Sequence, residues 1–204
     1  MNKINILPDE LINKIAAGEV IERPASAVKE LVENSIDAQA SRIDIFIKGG
    51  GRIEITVSDN GCGMEKNELS KALIRHSTSK MKFSLLNKIK TMGFRGEALS
   101  SIVSVSDFTI RSNCKNDLEG HEISLVSGKL IHSKPAGQKK GCFVSAKNIF
   151  CSTPARLKFL KSENYESLLI KRLIQKFALI HFDKEFNLFI NNKKIINTKL
   201  YSDL

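Results

Sequence analysis

Four stretches of this chain carry residue types at spacings that suit chemistry. Glu30, Glu33, Asn34 and Asp37 are separated by three and four residues. On a helix, with Val28 at zero, they fall at about 200°, 140°, 240° and 180°, opposite Leu31, Val32 and Ser35 at about 300°, 40° and 340°. A carboxylate and an amide at i and i+4 are neighbours. If that face looks into a cleft, Glu30 can take a proton from water while Asn34 offers an oxygen to a hard cation such as Mg²⁺. Without a cleft, the same acids are only a solvated helix surface. Asp59-Asn60-Gly61-Cys62-Gly63 follows directly on an alternating apolar run. A carboxylate at a strand end can accept from an exocyclic amine such as that of adenine, and the glycines permit positive φ or a close backbone approach. A plain Asp-Asn-Gly turn is the simpler reading, but it would not need the second glycine or the run into a helix at Glu65. Gly93-Phe94-Arg95-Gly96-Glu97-Ala98-Leu99-Ser100 is a two-glycine loop opening a helix, where free N–H groups and the helix dipole favour an anion such as phosphate. Just before it, Arg75-His76-Ser77-Thr78-Ser79-Lys80 adds cations and hydroxyls. There is no GxxxxGK[ST] string, so this is not a Walker A loop. The fourth stretch, Gly141 to Arg156, reads on its own as structural, although a glycine entering a strand can let a ligand come close.

These residues need elements to hold them. Leu11, Ile12 and Ile15 predict a first helix over 8–17. Pro24 suits the first turn of a second helix running to about Ala38. The runs 42–48 and 52–57 alternate about the triple glycine Gly49–Gly51 and predict a β-hairpin. A short helix is expected over 65–74 and a long polar loop over 75–93, of a length often used for lids. A helix over 96–103 follows, then strands near 106–112, 119–126, 129–133 and 141–148. Helices are expected near 154–161 and over 163–181, the latter with Leu168, Leu169, Arg172, Leu173, Lys176 and Ile180 close in the winding. A hairpin over 185–196 turns at Asn191-Asn192. Strands in runs, helices in clumps and no βαβ rhythm give an α+β fold, with helices on one face of a mixed, largely antiparallel sheet.

Composition sets the outer limits. With 204 residues, 42% hydrophobic and 26% charged, the chain suits one sizeable core rather than a disordered, collagenous or coiled-coil protein. No run of ~18 apolar residues exists, so no membrane span is expected. The N-terminus lacks the charged and apolar regions of a secretory signal. The net charge of +10 is uneven, about +2 over residues 1–100 and +8 over 101–204. A basic half suits a polyanion such as DNA, or it is a lysine-rich solvated surface. Trp is absent and Tyr occurs twice, which disfavours base stacking on aromatic side chains. The cysteines at 62, 114, 142 and 151 form no CxxC pair and are expected to be reduced thiols rather than metal ligands.

Taken together, ExxxNxxDA and DNGxG are each expected by chance in about one per thousand or fewer chains of this length. With 7–38, 58–64 (SDNGCGM), 75–80 (RHSTSK), 93–102 (GFRGEALSSI) and 152–160 (STPARLKFL), they resemble the GHKL ATPase superfamily, and within it the MutL family of DNA mismatch-repair proteins. The resemblance implies a Bergerat-type α/β sandwich that binds ATP with Mg²⁺. It makes Glu30 the general base, Asn34 the metal ligand and Asp59 the adenine-reading carboxylate, beside Gly61 and Gly63. Asp37, Ala38 and Met64 complete that end of the pocket. Thr78, Ser79, Lys80, Gly93, Phe94 and Arg95 become lid residues, and Gly96, Glu97, Ala98 and Leu99 the phosphate-contacting turn. It further implies a cytoplasmic protein of bacterial type that dimerises with ATP bound, works with a MutS-type mismatch-recognition protein and touches DNA weakly through its basic surface.

Residues 1–204 are expected to match the ATP-binding domain alone. The family's second domain, with a lysine for the γ-phosphate, and its C-terminal dimerisation domain, in some members bearing an endonuclease site, are expected to be absent. Turnover is then expected to be weak. The family usually has Gly-Thr where this chain has Gly141-Cys142. Three functional classes compete: an ATPase switch, a nucleotide-binding scaffold without turnover, and a plain DNA-binding domain.

Overall fold

The computed structural model describes residues 17–18, 20–75, 77, 96–115 and 119–198. The helix expected over 8–17 falls almost wholly outside the described residues, as does most of the loop expected over 75–93. The elements are α1 (Pro24–Asp37), β1 (Arg42–Lys48), a 3-10 turn (Gly49–Gly51), β2 (Glu54–Asp59), α2 (Lys66–Ala72), α3 (Ala98–Ser104), β3 (Asp107–Asn113), β4 (Glu119–Val126), β5 (Lys129–Gly137), β6 (Gly141–Lys147), α4 (Pro154–Phe159), α5 (Glu163–Ile180), β7 (Glu185–Ile190) and β8 (Lys193–Asn197). The strands form one sheet in the order β5-β4-β3-β6-β2-β1-β7-β8. Only β1 and β7 run parallel among the described pairs; all other neighbours are antiparallel. This is the expected α+β architecture.

Alternation explains the layers, since strand side chains point to opposite faces in turn. Ile43, Ile45 and Ile47 of β1, Phe108 and Ile110 of β3, and Phe186 and Leu188 of β7 are buried beneath the helices. The same strands turn Phe46 and Phe189 to the other face, where the rings stack at 4.7 Å. On that face the Arg111 guanidinium lies 4.2 Å over the Phe143 ring and its Nε sits 3.0 Å from Glu122.

α1 begins on Pro24, whose missing N–H is one the first turn leaves unpaired in any case. Its stripe of Val28, Leu31, Val32 and Ser35 is buried as expected. α5 is capped by Ser162, whose side chain accepts the Tyr165 N–H, and it carries Glu163 and Glu166 in its first turn, favourable against the helix dipole. Its inner face is not the row of Leu168, Arg172, Lys176 and Ile180 that the winding groups. Ile170, Ile174 and Phe177 are buried, whereas Leu168 and Ile180 are exposed and Arg172 and Lys176 face solvent. Apolar residues surround this helix, so periodicity could not choose a face. Packing on α1 and the triple-glycine turn chooses it: a Cβ on Gly50 would press on the Glu163 carbonyl and the Glu166 side chain. The Asn191-Asn192 turn has both residues at positive φ, as a tight hairpin requires.

The strand order matters most for function. β6 inserts between β3 and β2, although some 80 residues of sequence separate it from β2. The insertion brings the starts of β6 and the ends of β2 and β3 side by side.

Candidate functional site

At that edge of the sheet, Asp59 of β2 is paired with Cys142 of β6, and Cys142 with Ser112 of β3. The end of α1 lies over the row. Ser35 Oγ donates to Asp59 Oδ2 at 2.8 Å, the Gly61 N–H donates to Oδ1 at 2.9 Å, and the Cys142 N–H donates to Oδ1 at 3.3 Å. A carboxylate has about four acceptor positions, so Oδ2 keeps room for one more donor. Burial pushes the Asp59 carboxyl above the usual carboxylate range, with the hydrogen bonds from Gly61, Ser35 and Cys142 pulling the other way. A plain turn would have left this carboxylate in water. Here it is enclosed and aimed.

The turn after Asp59 is fixed on two sides. The Cys62 N–H donates to the Ala38 carbonyl at 2.9 Å. The Met64 N–H donates to Ser112 Oγ at 2.8 Å, which itself donates to the Gly141 carbonyl at 3.0 Å. Two glycines are compulsory. Gly63 has φ of 68° and a Cβ there would run into the Asn113 carbonyl; Gly141 has φ of 122° and a Cβ there would run into the Asp59 carbonyl. Gly141→Ala is therefore expected to cost about 1–3 kcal/mol in backbone strain and to push β6 off Asp59. Thermal melting with and without ATP analogue checks it, the expected result being a Tm lower by several degrees and a diminished ligand shift.

One face of α1 holds the remaining groups. Glu30 is about a quarter exposed at its side chain, and Asn34 and Asp37 are half-buried. Asn34 lies one turn, about 6 Å of rise, beyond Glu30 and next to Ser35. Glu33 departs from its expected place on this face. It is buried at 7% exposure because Lys29 reaches across to it at 2.7 Å; Lys29 also lies 3.5 Å from Glu30. Burial lowers the pKa of the Lys29 ammonium, but its hydrogen bond to Glu33 and the charge of Glu30 outweigh it, so the pKa is raised. Lys29 is thus a fixed cation beside Glu30.

The loop expected to act as a lid is described only at its base. The Arg75 guanidinium and the Glu97 carboxylate approach to 3.8 Å, and Gly96, at φ of 64°, lies against the Ser77 backbone. Glu97 is the N-cap of α3, and Ala98 and Leu99 form its first turn; α3 packs against α1. Thr78, Ser79, Lys80, Gly93, Phe94 and Arg95 lie outside the described residues.

The structure therefore gathers Ala38, Asp59, Gly61, Gly63 and Met64 at one place, with Asn34 and Asp37 on the adjoining turn of α1. Sequence reasoning missed three participants. Ser35 looked like a core position and is also a donor to Asp59. Lys29 and Ser112 gave no local signal, since the first acts through an ion pair and the second through strand pairing. Cys142 was noticed only as a departure. Burial and the nearby Asp59 charge push its thiol well up, so it is a neutral group at this edge.

Among the described residues, no cluster of three or more His, Cys, Asp or Glu side chains could hold a metal. The open acceptor on Asp59 suits a nucleotide base that presents an amine. None of the described helices is long and apolar enough to cross a membrane.

A sheet covered by helices on one face, with a half-buried carboxylate at a strand end beneath a helix bearing Glu and Asn, is the arrangement of a nucleotide-binding ATPase fold. The chain belongs to the histidine kinase-, DNA gyrase B- and HSP90-like ATPase family, whose model matches residues 21–140. Within that family its domain is of the MutL type. It is 47% identical to DNA mismatch repair protein MutL of Carboxydothermus hydrogenoformans over 199 residues, 97% of this chain and 34% of that protein. It is 51% identical to MutL of Rhizobium etli over 176 residues, 86% of this chain and 29% of that protein. Among solved structures it matches the Aquifex aeolicus MutL ATPase domain complexed with ADP at a TM-score of 0.75 and 33% identity, over 90% of this chain and 66% of that one. The chain spans about a third of the length of these curated relatives.

Proposed function

We infer that residues 1–204 form one nucleotide-binding unit that binds ATP with Mg²⁺, hydrolyses it slowly and serves as the switch of a cytoplasmic mismatch-repair protein. The observation that carries this reading is the enclosed Asp59 carboxylate, held by Ser35, Gly61 and Cys142 with one acceptor position open. It would accept the amine of adenine, with Gly61 and Gly63 beside the base and Ala38 and Met64 at its edges. The ADP in the related Aquifex structure supports the same ligand class.

Along α1, Asn34 would hold the metal and Glu30 would orient a water and take its proton as the water attacks the γ-phosphorus; Asp37 lies on the same polar face. Bound Mg²⁺ would supply charge neutralisation on the transferring phosphoryl group. Gly96, Glu97, Ala98 and Leu99 would form the turn near the phosphates, and the segment holding Thr78, Ser79, Lys80, Gly93, Phe94 and Arg95 would close over them. Glu97, paired with Arg75, would anchor that turn. A carboxylate is a poor direct partner for phosphate. Lid closure would favour homodimerisation in the whole protein, contact with a MutS-type mismatch-recognition protein and weak, non-specific association of DNA with the basic second half.

Thermal-shift titration of the chain with a non-hydrolysable ATP analogue and Mg²⁺ tests the reading. A ligand at 100 times its Kd stabilises by about 2.7 kcal/mol, so a Tm rise of several degrees is expected. No rise at millimolar analogue would overturn nucleotide binding by this chain. A second expectation concerns Cys142. A hydroxyl is a better hydrogen-bonding group than a thiol, so Cys142→Thr is expected to tighten analogue binding by about 1 kcal/mol, roughly fivefold. Calorimetric Kd values for both chains check this.

A further inference from the structure

On the opposite flank of the sheet, α5 and the β7–β8 hairpin enclose a groove of about 410 Å³. Ser167, Leu168 and Lys171 line it from the helix, and Ile190, Lys193 and Ile195 from the strands. β8 is the last strand in the sheet order, and among the described residues nothing pairs with its outer edge. An edge strand of this kind can take one more strand through its backbone N–H and C=O groups. Two features suggest what would lie there. The apolar lining is partly open, with Leu168 at 41% and Ile195 at 40% exposure. The charged lining groups are both cations, Lys171 and Lys193; Asn191, which also lines the groove, donates to the Glu163 carboxylate.

We propose that this groove is a docking site for an extended peptide segment of a protein partner, rich in alternating apolar and acidic residues, which adds as a ninth strand along β8. The backbone ladder would supply affinity and the groove would supply selection. Alternate side chains of such a strand point toward the helix layer. There, apolar residues meet Leu168, Ile190 and Ile195, and carboxylates meet Lys171 and Lys193. The site lies apart from Asp59 and Glu30, so it would recruit a partner without entering the nucleotide pocket. Lysines on an edge strand have another use, which is to repel further strands. In that case the edge should bind nothing.

The probe is a fluorescein-labelled peptide of three leucine–glutamate repeats, with a leucine–lysine peptide as control, titrated against the chain by anisotropy. The leucine–glutamate peptide is expected to bind and to weaken with rising salt, while the control does not bind. The methyl signals of Leu168, Ile190 and Ile195 should shift on titration, and the β8 amides should gain protection from exchange. Lys171→Glu together with Lys193→Glu should weaken binding about tenfold or more, with Tm and ATP-analogue binding unchanged. Should that variant fold poorly, the methyl shifts and salt dependence of the unmodified chain decide the question alone. Equal binding of both peptides, binding of neither, or shifts confined to other residues would overturn the proposal. Self-association of the chain through β8, unaffected by peptide, would assign the edge to a second copy and overturn it as well.

Discussion

Glu30→Ala is expected to lower ATP hydrolysis by about 10²–10⁴-fold, the usual contribution of a positioned general base, while an ATP analogue binds as well as to the parent chain. The barrier rises by about 2.7–5.4 kcal/mol, and none of it should appear in the dissociation constant. The local structure gives reason to expect a clean separation. Glu30 is half-buried at the edge of its helix, and its ionic neighbour Lys29 keeps a partner when Glu30 is gone, because Glu33 lies 2.7 Å away. Removal of Glu30 therefore strands no buried cation. Glu33→Ala is the control: it would unpair Lys29 and lower Tm, with a smaller effect on the rate of the folded fraction. Inorganic phosphate release under saturating ATP and Mg²⁺ is the measurement. An equal rate in parent and Glu30→Ala would mean that turnover does not run through Glu30, and the scaffold reading would replace the switch.

Asp59→Asn should show the opposite separation, losing the nucleotide and keeping the fold. The amide matches the carboxylate in shape, and its oxygen can still accept the Gly61 and Cys142 N–H groups. It also removes a buried charge. The folded pKa of Asp59 is raised by burial, so the native state binds the proton more tightly than the unfolded chain does. Stability from this group is then greatest below the unfolded carboxyl pKa. It declines as pH rises through the interval up to the folded value, and the cost of the buried charge is fully present above it. At neutral pH, Asp59→Asn should melt no lower than the parent. The amide presents N–H where the adenine amine needs an acceptor, so the analogue-dependent rise of about 2.7 kcal/mol at 100 times the parent Kd should vanish. For the parent, analogue binding should weaken as pH falls through the raised Asp59 pKa, because protonation takes away the acceptor. Melting curves from pH 4 to 8 with and without analogue measure both effects. A variant that melts several degrees lower while retaining the ligand shift would make Asp59 structural and place the nucleotide elsewhere.

Much of this molecule is local and therefore legible from the chain. The helix from Pro24, the alternating strands, the paired asparagines of the last hairpin and the spacing of Glu30 and Asn34 depend on steric preferences and periodicities that act within a few residues. The GHKL-type motifs are contiguous for the same reason. Those at Glu30 and Asp59 lie on one helix face and one turn, and residue identity alone limits what such a segment can do.

Other properties depend on contacts between distant segments, and only the tertiary structure decided them. Whether Asp59 ended a plain turn or met other elements was open until it was seen beneath Ser35, held by a backbone N–H from a strand some 80 residues later. Ser112 and Cys142 reach the site because β6 inserts between β2 and β3, a pairing that no local pattern encodes. α5 presents Ile170, Ile174 and Phe177 rather than Leu168 and Ile180, because a helix apolar on several sides turns whichever face its neighbours leave room for. Backbone preference and side-chain chemistry are written residue by residue, and they determined the elements and the candidate reactive groups. Burial, charge environment and strand order arise only when the whole chain is packed, and they decided which of those groups meet.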